Sequence, residues 1–279
     1  MYIFDTITSL KEHLTKVREQ KMRIGFVPTM GALHAGHLSL VKQSLEQCDF
    51  TVCSIFVNPI QFNRAEDLAN YPRTIEKDIS LLASVGCHAV FTPSEAMMYP
   101  EKTILQFNFG FLEQVMEGKF RPSHFSGVAV VISKLLHLVQ PTMIFLGQKD
   151  WQQVVIIRQL VKDLFFPVQI AVGQTVRETD GLAMSSRNMR LNETERQQAL
   201  AFYQALSLAQ ELILEGVEIK QIKAQIVQSF ENKPYIKLEY FEIVHKDTLE
   251  NLTTYQPNQT ALCIAGYVGE VRLIDNFLL

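Results

Sequence analysis

Residues 50 to 57, FTVCSIFV, form an almost unbroken run of β-branched, aromatic and small apolar side chains. A strand of that composition has no face suited to water, so it belongs in a parallel sheet covered by helices on both sides. The segments around it alternate in the same sense. MRIGFVPT at 22 to 29 reads as a strand ending in a turn, HLSLVKQSLEQC at 37 to 48 as an amphipathic helix, residues 73 to 85 as a helix and CHAVF at 87 to 91 as a strand. After the loop PSEAMMYP, FSGVAVVISKLLHLVQ reads as a helix, PTMIFLG as a strand, KDWQQVVIIRQLVKDL as a helix and PVQIAVG as a strand. This order predicts a doubly wound, Rossmann-like α/β domain with a parallel sheet, whose ligands sit beyond the strand C-termini.

The pattern changes near residue 175. RETDGLAMSSRNMRLNETERQQAL is a polar, glycine-containing loop leading into a long helix near 193 to 214, with Asn192 or a polar neighbour as its cap. A shorter helix at 218 to 230 precedes three strands, YIKLEYFEIV, TALCIAGYV and EVRLI. The expected division is therefore an α/β domain over residues 1–175 and a small α+β C-terminal domain over 176–279. A chain of 279 residues with 47% hydrophobic composition can supply both cores.

Charge and cysteine usage narrow the function classes. The formal charge is −3, with no basic stripe to recommend nucleic acid as a partner. Cys48, Cys53, Cys87 and Cys263 form no CxxC pair and stand in apolar surroundings, the pattern of free buried thiols in a reducing compartment. The N-terminus lacks a basic start followed by an apolar segment, and GVAVVISKLLHLV is broken by Lys134 and too short for a membrane span. The expectation is a cytoplasmic protein with no membrane partner.

Four strand ends carry candidate chemistry. In PTMGALHAGH, residues 28 to 37, a strand runs into a helix with His34 and His37 three residues apart on one face, while Gly31 and Gly36 permit close backbone approach. Unpaired N–H groups at such a helix start favour an anion by roughly 0.3–1 kcal/mol for each exposed charge. A triphosphate suits the site, although His34 as a cap and His37 as a half-buried packing residue would fit the same pattern. Zinc ligation is disfavoured, since the usual helical motif spaces its histidines at i and i+4 around a glutamate.

FVNPIQF exposes Asn58 and Gln61, whose amides can donate to carboxylates and hydroxyls and accept from amines; an Asx turn at Asn58 and a solvated Gln61 are the alternatives. In LGQKDWQQ, Lys149 can reach phosphate, Asp150 can accept from ribose hydroxyls, and Gln153 lies one turn further on; Asp150 as a simple helix cap is equally open. Trp151 reads as structural. The loop DGLAMSSRN brings Ser185, Ser186 and Arg187, which can close over phosphates as charge moves, or remain an ordinary ST-turn with a solvated arginine. Tyr71, Arg121 and His124 stand at polar junctions and are further substrate-site candidates, while His13, His88, His137 and His245 read as surface or packing residues.

In order along the chain, PTMGALHAGHLSL, SIFVNPIQF, YPR, PSEAMMYP, RPSHFSGVAVVISKLLHLVQP, GQKDWQQ and VRETDGLAMSSRN closely resemble the pantothenate synthetase, or pantoate–beta-alanine ligase, family. HxGH alone would indicate only a broad nucleotidyltransferase superfamily; the combination with VNPIQF, GQKD and DGLAMSSRN is much more specific. The resemblance covers nearly the whole chain and implies ATP-dependent condensation of (R)-pantoate with β-alanine to pantothenate, AMP and pyrophosphate through an enzyme-bound pantoyl adenylate. It also implies Mg²⁺ carried on the ATP phosphates without a dedicated protein cage, a homodimer built through the N-terminal domain, and a C-terminal domain that closes as a lid.

The resemblance assigns ATP contacts to Met30, Gly31, Ala32, Leu33, His34, Ala35, Gly36 and His37. It assigns further ATP contacts to Gly147, Gln148, Lys149 and Asp150, and to Val176, Met184, Ser185, Ser186 and Arg187. Gln61 and Gln153 correspond to pantoate contacts, Gln61 also to a β-alanine contact, and His37, with His34, Lys149 and Arg187, to the residues acting on the phosphates. Leu146 stands where an aromatic residue is more usual before GxKD. Two other classes compete: a nucleotidyltransferase acting on a phosphorylated metabolite, against which the amides of Gln61 and Gln153 argue, and a nucleotide-responsive regulatory or nucleic-acid module, which the absence of a basic stripe disfavours.

Overall fold

The computed structural model describes residues 1–279. The chain opens with β1 (Tyr2–Phe4), α1 (Ile7–Glu19), β2 (Ile24–Thr29), α2 (Ala35–Gln47) and β3 (Phe50–Ile55). Then come α3 (Ala65–Ala69), α4 (Ile75–Ser84), β4 (Ala89–Phe91), α5 (Glu95–Met98), α6 (Met116–Phe120), α7 (His124–Val139), β5 (Met143–Gly147), α8 (Trp151–Asp163) and β6 (Gln169–Gly173). The C-terminal third holds α9 (Glu193–Gln198), α10 (Leu200–Leu214), α11 (Ile219–Phe230), β7 (Ile236–His245), β8 (Thr260–Val268) and β9 (Val271–Leu278).

The first six strands form one parallel sheet in the order β1-β4-β3-β2-β5-β6. Successive residues of its central strands point to opposite faces, as strand geometry requires. Phe26, Val52, Phe91 and Ile144 pack beneath α1, α7 and α8, while Val27, Cys53, Val90 and Phe145 pack beneath α2 and α4. Both faces are dry, which is why FTVCSIFV carries no polar alternation. The chain leaves β2 for β3 on one side and reaches β5 on the other, so a crevice opens beyond the C-terminal ends of β2 and β5.

The last three strands form an antiparallel sheet, β7-β8-β9, covered by α10 and α11 over a separate apolar cluster. Several polar contacts tie this unit to α6 and α8 of the first. The Glu117 carboxylate accepts a fork from Arg272 at 2.7 and 2.8 Å and a bond from the Tyr240 hydroxyl at 2.9 Å. The Trp151 indole donates to the Lys246 carbonyl at 2.7 Å, and Arg158 pairs with Asp247 at 3.1 Å. Trp151 is thus a structural residue.

The sequence reading differs from the structure in several places, among them the short helices α3 and α6, which it did not assign. The long helix expected over 193 to 214 is two helices meeting at Ala199, whose φ −58 and ψ −24 keep the interruption slight; Asn192 caps the first through a reciprocal box with Glu195. PSEAMMYP contains the short helix α5, capped by Ser94. β1 and α1 received no assignment from sequence, yet α1 buries Leu10, Leu14 and Val17. β9 runs on past Ile274 because the strand-poor pair Asp275 and Asn276 finds buried partners. All four cysteines are buried free thiols, and no helix is long and apolar enough to cross a membrane.

Candidate active site

The turn after β2 is held by a carboxylate that no motif announces. Gly31 lies at φ +84, where a Cβ would stand 3.0 Å from Ile55 and 3.1 Å from Asp78, and Ala32 follows at φ +50. The N–H groups of Ala32 and Leu33 donate to the two oxygens of buried Asp78 at 2.9 and 2.8 Å, and the Thr74 hydroxyl lies 3.2 Å from each. Two amides of this turn are therefore already engaged by the protein's own carboxylate, while at the start of α2 the Gly36 amide is taken by His34. Asp78 had one sequence signal, because it interrupts the Ile75, Ile79, Leu82 stripe of α4.

His34 and His37 cap α2 reciprocally. The Gly36 amide donates to Nδ1 of His34 at 3.2 Å, and the His34 amide donates to Nδ1 of His37 at 3.3 Å. A ring nitrogen that accepts carries no proton, so both neutral rings are protonated on Nε2. Desolvation, with the charge of Lys149, holds His34 down to about 4; burial, with His34 and Lys149, holds His37 down to about 3. Near neutrality each ring thus offers an uncharged N–H donor, with the centroids 4.1 Å apart.

These shifts set a stability prediction. Unfolded imidazoles titrate near 6.5, so between that value and the folded values the unfolded chain binds more protons. The stability contribution is complete above 6.5 and is lost as pH falls toward 4. Thermal midpoints measured from pH 7 to pH 5 should fall less steeply in His37→Asn than in the parent chain. An equal slope would mean that His37 is not held neutral by the fold.

At the end of β5, Gln148–Asp150 form a 3-10 turn pinned by the last strand. The Asn276 side chain donates to the carbonyls of Gln148 and Lys149 at 2.9 and 2.8 Å and accepts from the Gln148 side chain at 3.3 Å. Lys149 Nζ lies 3.9 Å from Asp150 Oδ2. Asp150 makes no capping bond and its carboxylate is half exposed, so it is open to a hydroxyl donor.

Gln61 and Asn58 are buried beyond β3. Asn58 Nδ2 donates to Gln61 Oε1 at 3.0 Å and to the Gly127 carbonyl at 3.1 Å, and its side chain caps nothing, so the alternative of an Asx cap is displaced. Gln61 Nε2 faces only the weakly accepting thioether of Met30, at 3.0 Å. His124 Nδ1 lies 2.8 Å from the Gln61 carbonyl and so donates to it; burial holds its ring down to about 3, hence neutral. His124 is a support beneath the cavity rather than part of its wall.

The loop over the crevice is anchored from the C-terminal sheet. Arg177 forks onto Asp275 at 2.6 and 2.9 Å, and the Met184 amide donates to the Val176 carbonyl at 3.0 Å. Ser185 accepts from the Arg187 amide at 3.3 Å, while the Ser186 and Tyr71 hydroxyls lie 3.4 Å apart. The Arg187 guanidinium pairs with Asp67 at 3.1 Å, and Arg190 reaches the same carboxylate at 3.6 Å. Asp67 is a site neighbour that sequence reasoning missed.

These segments enclose a central cavity of about 200 Å³. Met30, His34, Gly36 and His37 line it from the segment after β2, and Gly147, Lys149, Asp150 and Gln153 from the segment after β5. Asn58, Gln61 and Tyr71 line it too, with Val176, Met184, Ser185, Ser186 and Arg187, the last 5.9 Å over the Tyr71 ring. An unforeseen apolar wall comes from Val128, Val131, Ile132 and Leu135 of α7. Lys149, Asp150, Ser185 and Arg187 also line an adjoining polar cavity of about 330 Å³, which includes Arg121 beside Glu117. Gly31, Ala32, Leu33, Ala35 and Gln148 shape the two turns but do not line the central cavity.

The profile of the pantoate-beta-alanine ligase family matches residues 2–278. A pantothenate synthetase of Porphyromonas gingivalis is 46% identical over 278 residues, covering 99% of this chain and 98% of that one. A crystal structure of the Thermus thermophilus pantothenate synthetase superposes with a TM-score of 0.94 at 39% identity, covering 100% of this chain and 99% of that chain. A Francisella tularensis pantoate-beta-alanine ligase complexed with beta-gamma ATP and beta-alanine gives a TM-score of 0.82 at 38% identity, over 100% of this chain and 97% of that one.

Proposed function

Because this chain belongs to the pantoate-beta-alanine ligase family and is therefore a ligase enzyme, we propose that it joins (R)-pantoate to β-alanine through an enzyme-bound pantoyl adenylate. One observation carries this reading. One cavity is lined both by the amides of Gln61 and Gln153 with the apolar wall of α7 and by the imidazoles, Lys149 and Arg187. A small carboxylic acid with a dimethylated carbon suits the first group, and a polyphosphate suits the second.

In the first step a pantoate carboxylate oxygen attacks the α-phosphorus of ATP; the bond to the β-phosphate oxygen breaks and pyrophosphate leaves. No proton need move onto the nucleophile. The Nε2–H groups of His34 and His37, with Lys149 and Arg187, stabilise charge on the phosphate oxygens during transfer. Asp150 accepts from the ribose. Mg²⁺ accompanies ATP as part of the substrate and neutralises phosphate charge; no cluster of three or more His, Cys, Asp or Glu side chains stands ready to cage it.

In the second step the β-alanine amine, directed by Gln61, attacks the acyl carbon. The bond to the phosphate oxygen breaks, AMP departs and the amine sheds a proton. The anhydride must be screened from water between the steps, and the loop 176–187 with Arg187 forms the screen. Residues 1–175 act as the catalytic domain and 176–279 as its lid. A cytoplasmic homodimer completes the reading.

Supplying pantoate, ATP and Mg²⁺ without β-alanine should release about one pyrophosphate per site in a burst, with sustained AMP and pantothenate formation only when β-alanine is added. Pyrophosphate release that is indifferent to pantoate, or that waits for β-alanine, would exclude the two-step route.

A further inference from the structure

The segment PSEAMMYP has no part in the chemistry above, yet its tyrosine ends against the deepest polar group of the site. The Tyr99 hydroxyl lies 2.7 Å from Asn58 Oδ1. The Gly127 carbonyl can only accept, so the Asn58 edge facing it at 3.1 Å is Nδ2, and the other edge, Oδ1, is left for Tyr99. Tyr99 must therefore donate. Burial raises the phenol well above its ordinary range, so the proton stays on it at any working pH. Asn58 Nδ2 also donates to Gln61 Oε1 at 3.0 Å, which leaves the Gln61 NH₂ as the edge directed at the cavity.

Tyr99 itself is held in place. Lys134 lies 4.4 Å over its ring and donates to the neighbouring Met98 carbonyl, and Phe56 packs against it with ring centroids 6.1 Å apart. The bonds run from hydroxyl to amide to amide, and every group among them has one assignable polarity. We infer that Tyr99 is a positioning residue: acting through Asn58, its hydroxyl makes Gln61 present a donor, not a carbonyl, to the carboxylated substrate. This rests on the reading of Gln61 as a substrate contact.

Without the hydroxyl, Asn58 Oδ1 is a buried acceptor with no donor, and any rotation that relieves it releases Gln61. Steady-state kinetics of the full chain should be compared for the parent, Tyr99→Phe, Gln61→Ala and the double variant, varying pantoate and ATP separately. Tyr99→Phe should raise the KM for pantoate about tenfold, the scale of one buried hydrogen bond, and leave the KM for ATP unchanged. In the Gln61→Ala background it should add no more than about twofold, as expected when one residue acts through another.

Lys134→Met, which loosens the tyrosine but keeps its hydroxyl, should raise the pantoate KM by about threefold, and it carries the test if the phenylalanine variant does not fold. An unchanged pantoate KM in the folded variants, or a tyrosine effect that persists in full without Gln61, would overturn the relay alone. A pantoate KM that Gln61→Ala leaves untouched would overturn the substrate-contact reading and the relay with it.

Discussion

Replacing His37 by alanine is expected to slow pantoate-dependent pyrophosphate release in a single turnover by about 10²–10³-fold, the usual consequence of removing one preorganised donor from developing charge. Stability should fall much less, by about 1 kcal/mol, because the variant also loses the acceptor that caps the His34 amide. The two roles can be separated. His37→Asn places an oxygen near the Nδ1 position and should recover the cap without the rate; His37→Gln extends an amide toward the Nε2 position and should recover part of the rate. Adenylation by His37→Ala at nearly the parent rate would remove the ring from the mechanism.

The largest loss of stability is expected at Glu117. Burial opposes its charge, but the Arg272 fork and the Arg121 guanidinium overcome that penalty and hold the carboxyl down to about 2. Glu117→Ala takes the fork from Arg272, which keeps only Glu239 at 2.7 Å, and leaves Arg121 without its carboxylate, so it should cost about 3 kcal/mol. In a chain of this size that lowers the thermal midpoint by roughly 10 °C. Glu117→Leu with Arg272→Met should cost less than the sum of the single changes, because both disrupt one network, but more than either alone, because Glu239 and Arg121 then lose their partners. Calorimetric midpoints would show it, and additive losses would mean that the two residues do not act as a pair.

The doubly wound sheet was legible because its strands are buried on two faces and their apolar runs advertise it. The three strands of the small sheet were legible as apolar, β-rich runs, except where Asp275 and Asn276 extend β9 on the strength of partners distant in sequence. Convergence of the segments after β2, β3 and β5 followed from the parallel topology, whereas the loop DGLAMSSRN is brought over them by contacts from the C-terminal sheet. What stayed hidden were groups whose meaning depends on contacts: Asp67 looks like a solvated carboxylate, Asp78 shows only as a break in an apolar stripe, and Tyr99 looks like one more aromatic in a loop. His124 sits in a motif, but only the packed structure shows that it supports Gln61 from beneath.

The carboxylate of Asp78 also determines when the nucleotide turn acquires its shape. Residues at φ +84 and +50, one of them an alanine, hold a backbone conformation that a free chain seldom visits, at a strain of roughly 1–3 kcal/mol for the non-glycine position. Because Asp78 supplies the compensating bonds from inside the protein, that strain is met during folding and does not recur at each turnover. On the proposed reading, an arriving nucleotide finds the loop already set, and its binding energy is not drawn down by ordering backbone.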